Sequence, residues 1–313
     1  MLRRRLTATD RCIESMKITA IIDSYNSAAY LGEAIQSVLD QTRLPDEFLV
    51  VDDESPDGSV EIAERMLRDV PWARVVEKKN GGQLSCVSEG VVHATGDIVA
   101  LLDSDDIWHA NHLELAEEQF RKEPKLSLYF SACKEFGEGE KNLYRSYAPG
   151  LLGRTQVLTA VGNSYVGGLN SALVAKVEDL KPYLPLPRDL ERDWIVNADN
   201  ITIWLTSLSG GLKYASSEVT VQYRVHATNN HKSLSKYPAR IQRKAATARF
   251  FEYCRRQFYI SGDFAKLLPQ EYRAHPTRTP ELKKEYLRAL SKASHSIGLR
   301  ASIVAYLRIQ LGK

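Results

Sequence analysis

The sequence predicts an α/β protein: a mainly parallel central sheet with helices on both faces, followed by a helical C-terminal extension. Three observations predict it. Short apolar runs alternate with amphipathic helical segments along residues 17–108. Within those runs the apolar residues are continuous rather than alternating with polar ones, which marks strands buried on both faces, as in parallel sheets. Each run also leads into a polar or acidic cluster, and right-handed crossovers bring all such strand ends to one edge, where open α/β sheets bind ligands.

In order, Lys17 to Ile22 reads as the first strand and leads into Asp23-Ser24-Tyr25-Asn26. A helix comes next, with Leu31, Ile35, Val38 and Leu39 on one face; Asn26 is expected to cap it. Pro45 and Asp46 form a turn, and Phe48 to Val51 is a second strand ending in Asp52-Asp53-Glu54-Ser55. A helix carrying Ile62 and Met66, a short strand over Arg74 to Glu77, the loop Lys78 to Gln83 and a helix with Leu84, Val87 and Val91 complete two further units. The fourth strand, Ile98 to Leu102, delivers three carboxylates, Asp103, Asp105 and Asp106. Beyond it the pattern gives a helix over 109–123 stopped by Pro124, a strand from Leu126 to Ala132 and a surface loop over 134–150. Glu191 to Asn200 then opens a helix that continues through Leu208 to Gly210-Gly211, and a strand covers Val219 to Arg224. Helices over 238–259, 281–296 and 299–311 make the extension, with Pro269, Pro276 and Pro280 as breaks.

With 313 residues, 43% of them hydrophobic, the chain can build one large domain with an appendage. The divisions expected are a disordered extension over 1–16, a main domain over 17–235 and a basic helical region over 236–313; Met16-Lys17-Ile18 reads as the natural beginning of the folded part. Four scattered cysteines show neither metal-ligand nor disulfide spacing, which suits a reducing cytoplasm. No run is apolar and long enough to span a bilayer. The net charge of +3 hides an asymmetry: residues 236–313 hold 17 Lys or Arg against 5 Asp or Glu, while residues 17–235 carry a net −11. Either the basic helices dock back on the main domain, or they sit peripherally on anionic lipid at the inner face of the membrane. Nucleic acid is set aside because no stacking aromatics are arranged among the charges.

The acidic cluster carries the chemistry. Carboxylates are hard oxygen ligands, suited to Mn²⁺ or Mg²⁺ with substrate phosphates filling the remaining positions. On an extended backbone Asp103 and Asp105 point the same way. The bland reading is that Asp105 or Asp106 caps the next helix. No Gly-x-Gly-x-x-Gly follows the first strand and no Gly-x4-Gly-Lys-Ser/Thr exists, which argues against dinucleotide and P-loop folds.

Ile21 to Asn26, Val50 to Ser55, Asn80-Gly81-Gly82-Gln83 and Leu101 to Asp106, in this order and spacing, resemble family 2 glycosyltransferases of the GT-A fold, over residues 17 to about 235. Asp23 departs from the pattern, standing where many members have Pro or Thr. The resemblance implies a nucleotide-diphosphate sugar as donor, most often a UDP-sugar. It implies that Asp52 accepts a hydrogen bond from the base, with Asp53 sharing or replacing it, and that Asp23, Ser24 and Tyr25 line the nucleoside slot. Asn80 and Gly82 would let backbone approach the nucleotide, Asp103 and Ser104 would contact ribose or metal-bound water, and Asp105, with Asp103 and His226, would hold the cation. Trp108 is either beside the sugar or packing. The segment Asn163 to Asn170 resembles the part that shapes the sugar pocket. Many members carry a Glu-Asp pair whose Asp is the general base; here the pair reads Ala198-Asp199, so the preceding Glu is missing, and Asp193 and Glu191 are rivals. The implied reaction is inverting transfer to a saccharide or lipid-linked acceptor in surface polysaccharide or glycan synthesis. The alternatives are a nucleotide-sugar-binding protein without turnover and a nucleotidyltransferase, which would need a Gly-rich basic signature that Asp23 to Asn26 does not supply.

Overall fold

The structure is a computed structural model and describes residues 16–138, 142–144, 147–226 and 237–312. The extension expected over 1–16 therefore lies, Met16 apart, outside the described residues.

The alternation is as expected through β1 (Ile18–Ser24), α1 (Leu31–Leu39), β2 (Glu47–Asp52), α2 (Ser59–Leu67), β3 (Ala73–Glu77), α3 (Gln83–His93) and β4 (Ile98–Asp103). These strands pair in parallel in the order β3-β2-β1-β4. The chain winds outward from β1 to β3 and then returns to place β4 on the other side of β1. Winding reverses between β1 and β4, and at such a reversal the crevice beyond the strand ends is open for a ligand. Asp23 and Asp103 are register partners across it.

Past β4 the sheet becomes mixed, with β5 (Ile107–Trp108), α4 (His112–Lys122), β6 (Leu126–Gly137), β7 (Leu143–Tyr144), β8 (Gly150–Arg154), α5 (Gln156–Gly162), β9 (Leu173–Lys176), α6 (Arg188–Glu191), α7 (Ala198–Leu208) and β10 (Leu212–Val225). The full order is β3-β2-β1-β4-β9-β6-β10-β5, with β7 paired to β6 and β8 to β10. β9 runs antiparallel to both β4 and β6. Three expectations change here. The loop over 134–150 is in part strand, because β6 runs on to Gly137 and its end pairs with β7, Lys134 opposite Leu143. β10 is far longer than its apolar core suggested, since it is paired along its length with β6 and β8. Asp106 leads into β5 rather than into a helix that it could cap.

Alternate residues of each central strand feed two cores. Ile18, Ala20 and Ile22 face α1, α2 and α4; Ile21 faces the side covered by α3, α5 and α7. The extension forms α8 (Tyr237–Gln257), α9 (Leu268–Ala274), α10 (Pro280–Ile297) and α11 (Leu299–Leu311). It shares the second core: Phe250 stacks on Trp204 with ring centroids 5.5 Å apart and meets Trp194 edge-on at 6.3 Å. Glu271 of α9 accepts from the backbone N–H groups of Val157 and Leu158 at 2.7 and 2.8 Å, satisfying donors at the start of α5. Pro269, read as a break, sits in the first turn of α9, where a missing N–H costs nothing. No helix among the described residues is long and apolar enough to cross a membrane. Cys86, Cys133 and Cys254 are free and buried.

Candidate active site

A cavity of about 520 Å³ opens at the carboxyl ends of β1 and β4. Asp23, Ser24, Tyr25, Asp53, Asn80, Gly82, Asp103, Ser104, Asp105, Asp199 and His226 all line it. Asp52 does not. Its buried carboxylate accepts from the hydroxyls of Ser24 (3.0 Å) and Ser55 (2.7 Å) and from the Ser55 N–H (2.8 Å), one layer behind the wall. It ties the loop after β1 to the loop after β2. Asn26 does not cap α1: it lies in the left-handed region at φ 53°, and its N–H donates to Ser55.

Asp53 is gripped by Lys78 at 2.6 Å and by the backbone N–H groups of Gly81 and Gly82 at 2.9 and 2.7 Å. It folds the 80–82 loop over the cavity. Asn80 joins this brace by donating to the Asp53 carbonyl. Gly82 has φ 88°, and a Cβ there would lie 2.5 Å from Ile195 Cα. The close approach that requires glycine is thus to the protein's own chain.

Asp103, Asp105 and Asp106 each offer a carboxylate oxygen within 4.8 Å of the others. The spacing does not come from an extended backbone, as expected, because the chain turns at Ser104 and Asp105. Asp106 is committed internally, accepting from Ser171 Oγ at 2.5 Å and from the Arg224 N–H at 2.8 Å. Asp105 Oδ2 lies 2.9 Å from His226 Nε2, and His226 packs on Tyr30. Asp103 accepts from Gln83 (2.9 Å) and Asn170 (2.6 Å). Burial, then repulsion from Asp105, pushes Asp103 up to about 7. Burial, then Asp103, raises Asp23 well above the carboxylate range, and burial with Asp105 does the same to Asp106. The buried Asn170 Oδ1, beside Asp103, finds no partner among the described residues. Crowded carboxylates in want of positive charge, a spare amide oxygen and an imidazole form a donor set that fits Mn²⁺ or Mg²⁺.

A second wall is the start of α7, which contributes Asp199 to the same cavity. Asp199 is nearly buried and accepts from the Tyr165 hydroxyl at 2.8 Å. Burial and Asp199 hold that phenol well above its ordinary range, so it stays a donor. The rivals fall away geometrically: Asp193 pairs with Arg249 at 2.6 Å, and neither it nor Glu191 lines the cavity. Trp108 is packing, buried with its indole N–H on the Ser171 carbonyl. Tyr223-Arg224-Val225-His226 with Asn229 resembles the close of the family's catalytic region; Asn229 lies outside the described residues.

Three residues that build this site escaped sequence reasoning. Gln83 spans the cavity floor, donating to Asp103 while accepting from the N–H groups of Asn197 (2.8 Å) and Ala198 (3.2 Å). Its place in the Asn80 to Gln83 motif was the available signal. Tyr165 lies inside the segment expected to shape the sugar pocket. Lys213, fully buried in β10, donates to the carbonyls of Val166 (2.8 Å) and Ile203 (3.1 Å), and burial pushes its amine well below the usual range. It joins the loop carrying Tyr165 to the helix carrying Asp199; the sequence offered no signal for it, because the strand expected there began only at Val219.

A family model described as Glycosyl transferase family 2 matches residues 19–168. An uncharacterized glycosyltransferase of Nostoc sp. is 31% identical over 222 residues, covering 70% of this chain and 67% of that protein. The chondroitin synthase of Pasteurella multocida is 27% identical over 160 residues, 51% of this chain, and the matched part spans only 17% of its length. Among solved structures, Staphylococcus aureus TarS 1–349 in complex with UDP-GlcNAc superposes with a TM-score of 0.62 at 17% identity, over 95% of this chain and 89% of that one. At that identity the likeness speaks for the fold, which is the GT-A type expected from the motifs. Ordered motifs, a cavity at the sheet's reversal point and these likenesses converge: the chain belongs to family 2 of the glycosyltransferases and is an enzyme of that class.

Proposed function

We propose that this enzyme transfers one sugar from a nucleotide-diphosphate sugar, a UDP-sugar first among them, to a hydroxyl of a saccharide or lipid-linked acceptor, with inversion. The observation that carries the reading is that Asp199 and the Asp103–Asp105 cluster, held on separate elements, line one cavity. The TarS complex with UDP-GlcNAc supports the donor class, and the chondroitin synthase likeness supports a polysaccharide product. Three free, buried cysteines fit a reducing compartment, the cytoplasm.

Tyr25, Ser24 and the 80–82 loop would hold the nucleoside, with Asp52 and Asp53 shaping that slot. Asp103, Asp105 and His226 would hold the divalent cation. What such an ion supplies is neutralisation of the charge gathering on the departing diphosphate. Asp199, its carboxylate oriented by Tyr165, takes the proton of the acceptor hydroxyl. The acceptor oxygen bonds the anomeric carbon as the bond to the diphosphate oxygen breaks, and the nucleoside diphosphate departs on the far side. General-base help of this kind is worth about 10²- to 10⁴-fold.

The test is turnover of a nucleotide-sugar panel with Mn²⁺, with the anomeric configuration of the product read by NMR. Inversion with a UDP-sugar is expected. A retained configuration would overturn the role given to Asp199, and binding without any turnover would overturn the reaction.

A further inference from the structure

Five of the fourteen large apolar side chains exposed among the described residues lie on one thirteen-residue helix, α11. Ile303, Val304, Tyr306, Leu307 and Leu311 are each 47–64% exposed, while Ala305 and Ile309 are buried against the rest of the extension. At 3.6 residues per turn the exposed five form one continuous arc, and Arg300 falls within that arc with Arg308 at its margin. The helix contains no acid. Two further cations close its C-terminal end: Arg278 donates to the Gly312 carbonyl at 3.1 Å, and Lys283 donates to the Gln310 carbonyl at 2.9 Å. They satisfy carbonyls the helix leaves open and complement its dipole.

We propose that this face of α11 is a docking surface for an anionic lipid bilayer, lying in the interface plane with its arginines among the headgroups. The reading goes beyond the donor chemistry above and stands apart from it. Charge chooses the occupant. A second copy would set one face that bears Arg300 and Arg308 and no acid against another of the same kind, whereas a bilayer offers apolar depth under a negative surface. The inward face of the same helix is already spent on the protein core, so the surface needs no rearrangement to engage.

The test is co-sedimentation of the full chain with vesicles of phosphatidylglycerol in phosphatidylcholine, and with pure phosphatidylcholine, at low and high salt. The protein is expected to pellet with the anionic vesicles only, and less so as salt rises. Ile303→Asp with Leu307→Asp should lower the bound fraction at least about ten-fold. Arg300→Glu with Arg308→Glu should lower it by about five-fold per cation removed. All four positions are exposed, so melting temperature and nucleotide-sugar hydrolysis in free solution should not change; that hydrolysis reads the active site separately. Failure to pellet, equal pelleting with neutral vesicles, or indifference to the aspartates would overturn the proposal. So would a concentration-dependent dimer lost in the aspartate variant, which would assign the face to a second copy.

Discussion

The two walls of the cavity are built in different ways. The carboxylate wall comes from the tips of β1, β2 and β4, where parallel pairing alone puts Asp23 beside Asp103. The wall carrying Asp199 comes from segments around residues 165, 170 and 197, brought in by side chains acting over long sequence distances: Gln83 to Asn197, Tyr165 to Asp199, Asn170 to Asp103. The first is a product of regular topology, the second of individual hydrogen bonds. Single substitutions can therefore dismantle the second wall, while in the first the strands place Asp23 and Asp103 and only Asp105 and Asp106 lean on distant partners, His226, Ser171 and Arg224.

The largest effect expected separates the walls directly. Asp199→Asn should lower transfer about 10²- to 10⁴-fold while UDP binding, followed by calorimetry with Mn²⁺, stays intact. Asp105→Asn should instead weaken Mn²⁺-dependent UDP binding as well as turnover. If both variants lose binding alike, the division into two walls fails.

A smaller effect tests the bridge between them. Gln83→Ala removes a side chain hydrogen-bonded to both Asp103 and the start of α7, and should cost about ten-fold in kcat by loosening both at once. A variant with kcat unchanged would make the bridge merely structural.

The smallest effect concerns charge. In the metal-free chain the Asp103 carboxyl, pushed up to about 7, keeps a proton that the unfolded chain has already lost. Its contribution to stability is therefore full below the ordinary carboxylate range and is lost as pH rises through about 7. The buried His112 and His275, held down to about 3 and about 4, act in the opposite sense on the acid side. The difference between the native chain and Asp103→Asn cancels them. The rise in melting temperature on adding Mn²⁺ should be larger at pH 8 than at pH 6, because binding must displace that proton. Equal rises would remove Asp103 from the cation site.

By itself the sequence determined the parallel half of the sheet, the positions of its helices and the acidic edge, because continuous apolar runs and strand-end polar clusters are local signals. The ordered set of weak motifs was enough to single out the family. Only the tertiary structure decided that Asp52 stands behind the cavity while Asp53 lines it, that Asp106 is tied to Ser171 and Arg224, and that Asp199 rather than Asp193 faces the carboxylates. Neighbouring residues of one composition differ in such roles through their partners in space. Those partners lie as far as 118 positions apart in the chain, as with Asp106 and Arg224. No local pattern carries that information, because a hydrogen bond records proximity in the folded chain and nothing about separation along it.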